Sequence, residues 1–403
     1  MSYFPFPNNF TSGPNGSYNY DNNWVGVGTN LYDHDQIDVR VDQQFSQKNT
    51  LSARFSWGRN PNQAAQAFNN ALDPHSAGPQ GFNPRMFALN DSHLFNKNTI
   101  LNVSFGFARV LHHVTGVPSA YPGFDPVTTL GFPAYIEASG FKVAPAVLLG
   151  DNYANAGYGL ASIGTQTYSL QRYAQETYHL TGSVSHVHGP HELKFGAEMR
   201  AHRVNSTQPG TPDGAFYYDH TGTNQTPLPG DNSGDAMASF LTGFGGPGSA
   251  GYGQYEFPNA PATLNYADAF YALDNWKVTP TLTLNLGFRY ELEIPRTERY
   301  NKMEWFDPAV ASAVSGAAVV ANCVPNQGLL VLQEPCSSLS NLYGGDVYAS
   351  NSERHIANIN YHGFAPRIGV AWRVRPSTVI RTGYGIFYQP TQFGAAGIYV
   401  VYR

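Results

Sequence analysis

The residues best able to do chemistry fall in four short stretches. His186, His188 and His191 in HVHGPHE place three imidazoles close together, and imidazole is the commonest metal ligand. Their spacing is not that of a zinc-binding helix, and Gly189 and Pro190 between them mark a tight turn. A solvated hairpin turn is therefore the simpler reading. The stretch GDNSGDA sets Asp231 and Asp235 among glycines, faintly like a calcium loop, but without the full ligand spacing or the distal glutamate. Glu291 and Glu293 are two apart, so on a strand they share a face and imitate paired carboxylates; a place in a lumen or on its rim explains them more simply. Cys323 and Cys336 lie in one apparent loop, where a disulfide in an oxidising compartment and two free thiols are both open. The sequence contains no G-x-S-x-G, P-loop or H-E-x-x-H pattern, so no catalytic residue, cofactor or metal is expected.

The composition narrows what kind of scaffold carries these residues. Only 13% of the 403 residues are charged, about half the ~25% usual for soluble proteins. Aromatic residues reach 14%, and 41 Gly and 28 Pro recur in turn-like clusters along the chain. The net charge of −5, with no long basic run, argues against nucleic acid as a partner. No window approaches the ~18 continuous apolar residues of a membrane helix. Mean hydropathy is slightly negative, which a transmembrane β-barrel tolerates because only alternate strand residues need be apolar. MSYFPFPNNFTSG at the N-terminus lacks the basic region and apolar core of a signal peptide.

Strict alternation is the dominant pattern. In TLTLNLGFRYE, Leu282, Leu284, Leu286, Phe288 and Tyr290 fall on one face, and Thr283, Asn285, Gly287, Arg289 and Glu291 on the other; a period of two is a β-strand. IDVRVDQQF, LSARFSWGR, ILNVSFGFA, HELKFGAEMR, RIGVAWRV and, less cleanly, VIRTGYGIFY repeat it. The spacing predicts strands of about nine to eleven residues, enough to cross a bilayer when tilted. They pair through short polar links at 47–49, 96–98, 186–191, 278–280 and 373–377, while long stretches near 112–166, 203–262 and 295–360 separate the pairs. Within one of these, SGDAMASFLTGF (233–244) reads as a helical turn capped by Ser233 or Asp231. Short turns on one side and long loops on the other are the layout of an outer-membrane barrel. Residues 1–34 form an irregular lead-in and 35–403 the barrel segment.

Alternation alone does not say which face is inside. Three features favour lipid on the apolar face. The opposite face mixes glycines, small residues and charges of both signs, as a barrel lumen does. Aromatic residues such as Trp276, Tyr290, Trp372, Tyr384 and Tyr388 gather at strand ends, like an interfacial girdle. The strand length suits a bilayer. On this reading Leu282, Leu284, Leu286 and Phe288 face lipid, and Arg40, Asp42, Arg54, Lys194, Glu198, Arg200 and Arg289 line the lumen, with mutual ion pairing inside the wall an equal account of their charge. The Tyr, Asn and Gly content of the long loops suits an extracellular sugar or peptide ligand.

YALDNWKVTPTLTLNLGFRYE (271–291) resembles the barrel hairpin of TonB-dependent transporters. HELKFGAEMR (191–200), GDAMASFLTG (234–243), FAPRIGVAWRVRPSTVIRTGYGIFYQ (364–389) and VDQQFSQKNTLSARFSW (41–57) are similar to the Oar-like branch. The resemblance spans roughly residues 35–390 and implies an antiparallel transmembrane β-barrel in the Gram-negative outer membrane. It also implies energy-coupled uptake of a large ligand, with outer-membrane lipid as surroundings and TonB engaged only through a plug domain. Such barrels have about 22 strands, whereas about ten to twelve are expected here, a partial barrel. No plug-like region or TonB box precedes Ile37, and the chain reads as an internal piece of a longer design. The rival expectations are a non-transporting outer-membrane adhesion or surface protein, and a secreted soluble β-protein that binds carbohydrate.

Overall fold

The computed structural model describes residues 3–9, 24–66, 68–73, 78–116, 121–139, 141–150, 163–165, 169–226, 231, 233–244, 253–256, 260–313, 315–317, 320 and 340–388. Cys323 and Cys336 lie outside them. The strands are, in chain order, β1 (Leu31–Tyr32), β2 (Asp35–Ser46), β3 (Asn49–Gln63), β4 (Pro79–Asn96), β5 (Thr99–Val114), β6 (Ala146–Leu149), β7 (Gln171–His188) and β8 (His191–Thr207). They continue with β9 (Ala215–Tyr218), β10 (Gly253–Gln254), β11 (Ala262–Thr279), β12 (Leu282–Glu298), β13 (Glu304–Ala311), β14 (Tyr343–Tyr348), β15 (Phe364–Arg375) and β16 (Thr378–Gly385). Two short α-helices, α1 (Pro126–Leu130) and α2 (Ala236–Thr242), lie in the long connections.

Eleven strands form one antiparallel sheet in the order β1-β3-β4-β5-β7-β8-β11-β12-β15-β16, with β2 also on β3. β1 and β2 keep one register against β3, since Leu31 meets Gln63 and Asp35 meets Arg59; they act as one interrupted strand. The rest is a meander of hairpins, as the alternating pattern predicts. The sheet is open: among the described residues β2 and β16 do not pair with each other.

Every hairpin on one side turns in two residues: Gln47–Lys48, Lys97–Asn98, Gly189–Pro190, Pro280–Thr281 and Pro376–Ser377. These turns fall where the polar links were expected. A two-residue turn matches strand twist best when its backbone takes positive φ. Only Gly189 does so, at φ 56°, and its hairpin keeps perfect register through His188 and His191. The four other hairpins each show a register irregularity next to the turn, a bulge that absorbs the mismatch.

The long strands exceed the expected nine to eleven residues: β4, β7 and β11 have 18 each. Strand therefore runs into stretches read as loop, to Val114, Thr207 and Glu298. The remaining long connections are not featureless. β9 pairs with β6 and β10 in a small sheet, and β13 with β14 in another. Ala71, Leu72, Ala144, Val147, Leu149, Ile163 and Ala236 form one buried cluster, with Tyr3, Phe4, Phe68, Tyr121, Leu130, Tyr218 and Phe240 packed against it. Three connections and residues near the N-terminus thus share a hydrophobic core at the end opposite the short turns, a cap over the sheet. Asp125 caps α1 by accepting from Thr128 N at 2.9 Å, and Lys142 Nζ lies 3.0 Å from its other oxygen. These two bonds lower the Asp125 carboxyl to about 2.

α2 confirms a helix within 233–244, but its cap is Asp235, which accepts from Ala238 N at 3.0 Å, and neither Ser233 nor Asp231. The side chain must sit one residue before the first helical turn to reach that N–H, and Asp231 is too far upstream.

The large sheet has almost no core of its own. Among its described residues the buried apolar side chains are Ala269, Pro295 and Ala365. Its large apolar side chains stay open, Phe195 at 50%, Phe270 at 53% and Phe288 at 46% exposure. In a soluble sandwich a second sheet would cover such a face; here the other sheets have three strands and two strands.

Candidate functional site

The polar face of the sheet gathers its charges across neighbouring strands. Arg289, on β12, donates to Glu291 Oε1 at 2.8 Å and to Glu198 Oε2, on β8, at 3.1 Å. β11 lies between those two strands, and its residue at that level is Ala269, opposite both Glu198 and Glu291. Two interstrand spacings are about 9.6 Å, a span an arginine and a glutamate close together only if the intervening side chain is small. Ala269, 3% exposed, meets that requirement. Glu198 also accepts from Arg200 and lies 3.0 Å from His179 Nε2 on β7. One carboxylate thus ties β7, β8 and β12 together.

The other expected lumen residues share this face. Arg40 is 2.9 Å from Asp42, and Arg54 is 3.0 Å from Asp38. Both pairs are largely exposed, so their contribution to stability is small. Lys194 is exposed near the short-turn end. The pattern found Glu198, Arg200 and Arg289 but not their partner His179. His179 sits beside Leu180 in QRYAQETYHLTGSVSHVH, where the alternation is too diluted by Gly, Ala and Thr to assign faces.

Beside this network a cavity of about 290 Å³ opens between the wall, at Glu198, Arg200, Arg289 and Glu293, and residues Asn358, Asn360 and Tyr388. Its lining carries both signs of charge and amide groups, suited to hydrogen-bonding a polar group.

The remaining candidates resolve into structural roles. His186 Nδ1 is 2.9 Å from Thr99 Oγ1 and stacks on His188, whereas His191 Nδ1 pairs with Asp274 at 2.8 Å and stacks on Trp276. The imidazoles are engaged with different partners, and among the described residues no group of three side chains that could hold a metal ion forms. Asp231 accepts from Thr226 N at 2.7 Å and Ser233 N at 2.9 Å; hydrogen bonds from Ser233 and Thr226 hold its carboxyl well below the usual carboxylate range. With Asp235 engaged at α2, the two aspartates serve loop and helix. Glu291 is ion-paired to Arg289, an arrangement of a structural charge and not of a proton-sharing dyad. Leu282, Leu284, Leu286 and Phe288 lie on the opposite, apolar face, level with Trp372, Val370, Ile368 and Pro366 of β15.

A single-layer antiparallel meander, polar on one face and openly apolar on the other, with short turns at one end and a folded cap at the other, defines an outer-membrane β-barrel type of protein. The chain belongs to the outer membrane beta barrel domain family, whose model matches residues 1–399, and its place is the outer membrane. No curated protein sequence matches it. Among solved structures it is similar to the siderophore receptor PiuA from Acinetobacter baumannii, at 10% identity and a TM-score of 0.43, covering 90% of this chain and 43% of that one. The ferric-catecholate import receptor Fiu from E. coli K12 gives 12% identity and a TM-score of 0.41, covering 91% and 48%. The copper transporter OprC gives 9% and 0.37, covering 88% and 37%. The chain spans less than half the length of each.

Proposed function

We propose that the sheet is part of the wall of a TonB-dependent transporter of the Oar-like branch, taking up a large ligand across the outer membrane. Leu282, Leu284, Leu286 and Phe288 then face lipid, and Arg40, Asp42, Arg54, Lys194, Glu198, Arg200 and Arg289 face the lumen. The observation that carries this is the asymmetry of the single-layer wall: half-exposed large apolar side chains on one face, an ion-pair network reaching from β7 to β12 on the other. In that family the lumenal face contacts the plug domain through which TonB acts. The cap supplies a folded outer surface on which a ligand is first held, and transport proceeds by binding and rearrangement without a catalytic residue. Ferric catecholates, for which Fiu is an import receptor, and oligosaccharides or peptides, which suit Tyr- and Asn-rich loops, are the ligand classes to try.

In cells producing the protein, accumulation of a radiolabelled ferric catecholate, a fluorescent oligosaccharide and a fluorescent decapeptide is measured with and without a protonophore. Accumulation of one of them, abolished by the protonophore, is expected. Accumulation indifferent to the protonophore rejects energy coupling. Surface binding of a probe without accumulation rejects transport and favours an adhesion or surface role.

A further inference from the structure

The apolar face carries an arginine row that uptake does not require. Arg85, Arg109, Glu176 and Arg203 stand level on β4, β5, β7 and β8, because Arg85 pairs with Arg109, Arg109 with Glu176, and Glu176 with Arg203. Two residues closer to the short turns, on the same face, lies the aromatic row Phe87, Phe107 and Tyr178. From Thr99 at the turn, Arg109 is about ten residues up β5, roughly 33 Å along the strand and roughly 25 Å in height at the usual tilt. That is the height of a barrel's apolar band, so the row sits where hydrocarbon gives way to headgroups on the cap side.

Its charge does not cancel. Glu176 lies 3.4 Å from both Arg109 Nε and Arg203 Nη1. Arg85 is exposed, with no ion pair among the described residues. Arg109 Nε, 3.4 Å from Glu176, makes no well-formed hydrogen bond among the described residues. Arg85 and Arg109 are direct cross-strand neighbours, a like-charge pairing that disfavours the sheet, and more so beside hydrocarbon, where screening is weak. An anion shared between the two guanidinium groups converts that repulsion into two charge-assisted contacts, and phosphate fits the guanidinium fork. One level farther out, Asn83, Leu111, Ala174 and Asn205 follow in register and line a hollow of about 300 Å³, with room and amide groups for the polar body of a headgroup.

We propose that this row and hollow bind the phosphorylated headgroup of an outer-leaflet lipid, with acyl chains lying against Phe87, Phe107 and Tyr178. The test uses the full chain folded in detergent and native mass spectrometry with diphosphoryl lipid A, its dephosphorylated form and inorganic phosphate as probes. The expected result is retention of the diphosphoryl lipid alone. Arg85→Gln together with Arg109→Gln weakens it roughly tenfold or more. Glu176→Gln, which removes the competing carboxylate, tightens it, and this variant decides the matter if the double arginine variant does not fold. Equal retention of the dephosphorylated lipid, undiminished binding by the double variant, or weaker binding by Glu176→Gln overturns the proposal. Displacement by millimolar inorganic phosphate also overturns it, because the ligand would then be the free anion and not a lipid.

Discussion

Ala269 shows how a residue without functional atoms governs those that have them. It holds open the gap through which Arg289 on β12 reaches Glu198 on β8. A larger side chain there forces Arg289 off its path and leaves Glu198 with Arg200 and His179 alone. Ala269→Leu is expected to destabilise the folded wall by about 1–3 kcal/mol, from overpacking and a broken link. Urea titration of the folded, heat-modifiable gel band measures it. A midpoint unchanged from the parent would show that the link carries no stability. The charges themselves were legible in the sequence, since Glu198, Arg200 and Arg289 occupy polar positions in clean alternation. Ala269 was not: in ADAFYALD small residues sit on both faces, and nothing local says that an alanine is a doorway between strands two places apart. The helix cap was misplaced for a related reason. Asp231, Ser233 and Asp235 are all good capping types, and only the start of the helical backbone chooses among them.

Strands β4, β7 and β11 were visible only as the missing partners of turns. Their alternation fails because the faces are not uniform: Asp91 and His93 on β4 stand level with Val103 and Leu101 of the apolar face, and Asp274 on β11 stands level with Leu286. The clean strands β3, β5, β8 and β12 disclosed the architecture, and their extra length came from pairing beyond the apolar band, where the side chains no longer have to alternate. β12 also allows the two faces to be told apart by two of its residues. If Phe288 meets hydrocarbon, Phe288→Arg buries a charge near the middle of the band and costs about 2–4 kcal/mol. Asn285→Arg, on the same strand, points to the polar face and costs less than about 1 kcal/mol. Both are read as unfolding free energies in the same lipid vesicles. Equal costs, or the reverse order, would put the apolar face in contact with something other than lipid.

At the scale of the whole molecule, the wall formed by the described residues has two edges and the cap has the core. Cap residues drawn from three connections and from Tyr3 and Phe4 bury one another, which composition could not reveal because contacts between distant loops leave no periodic trace. The sheet below is strongest in its middle, where β5, β7 and β8 are paired on both sides. Its outermost strands are paired on one side only, and β2 is exposed along all of its 12 residues. In hydrocarbon an unpaired backbone N–H or C=O costs several kcal/mol, so an open edge is tolerated only where water or detergent headgroups reach it, or where another strand arrives. Local opening follows that gradient. In detergent, peptides from β2 and β16 should exchange amide hydrogens at least about a hundredfold faster than peptides from β7 and β8, a difference of roughly 3 kcal/mol in opening free energy. Hydrogen-exchange mass spectrometry resolves this directly. Equal protection of β2, β16 and the central strands would mean that both edges are covered in solution, by each other or by a second copy. Dilution then separates the two, since only an intermolecular edge loses its protection as the protein concentration falls.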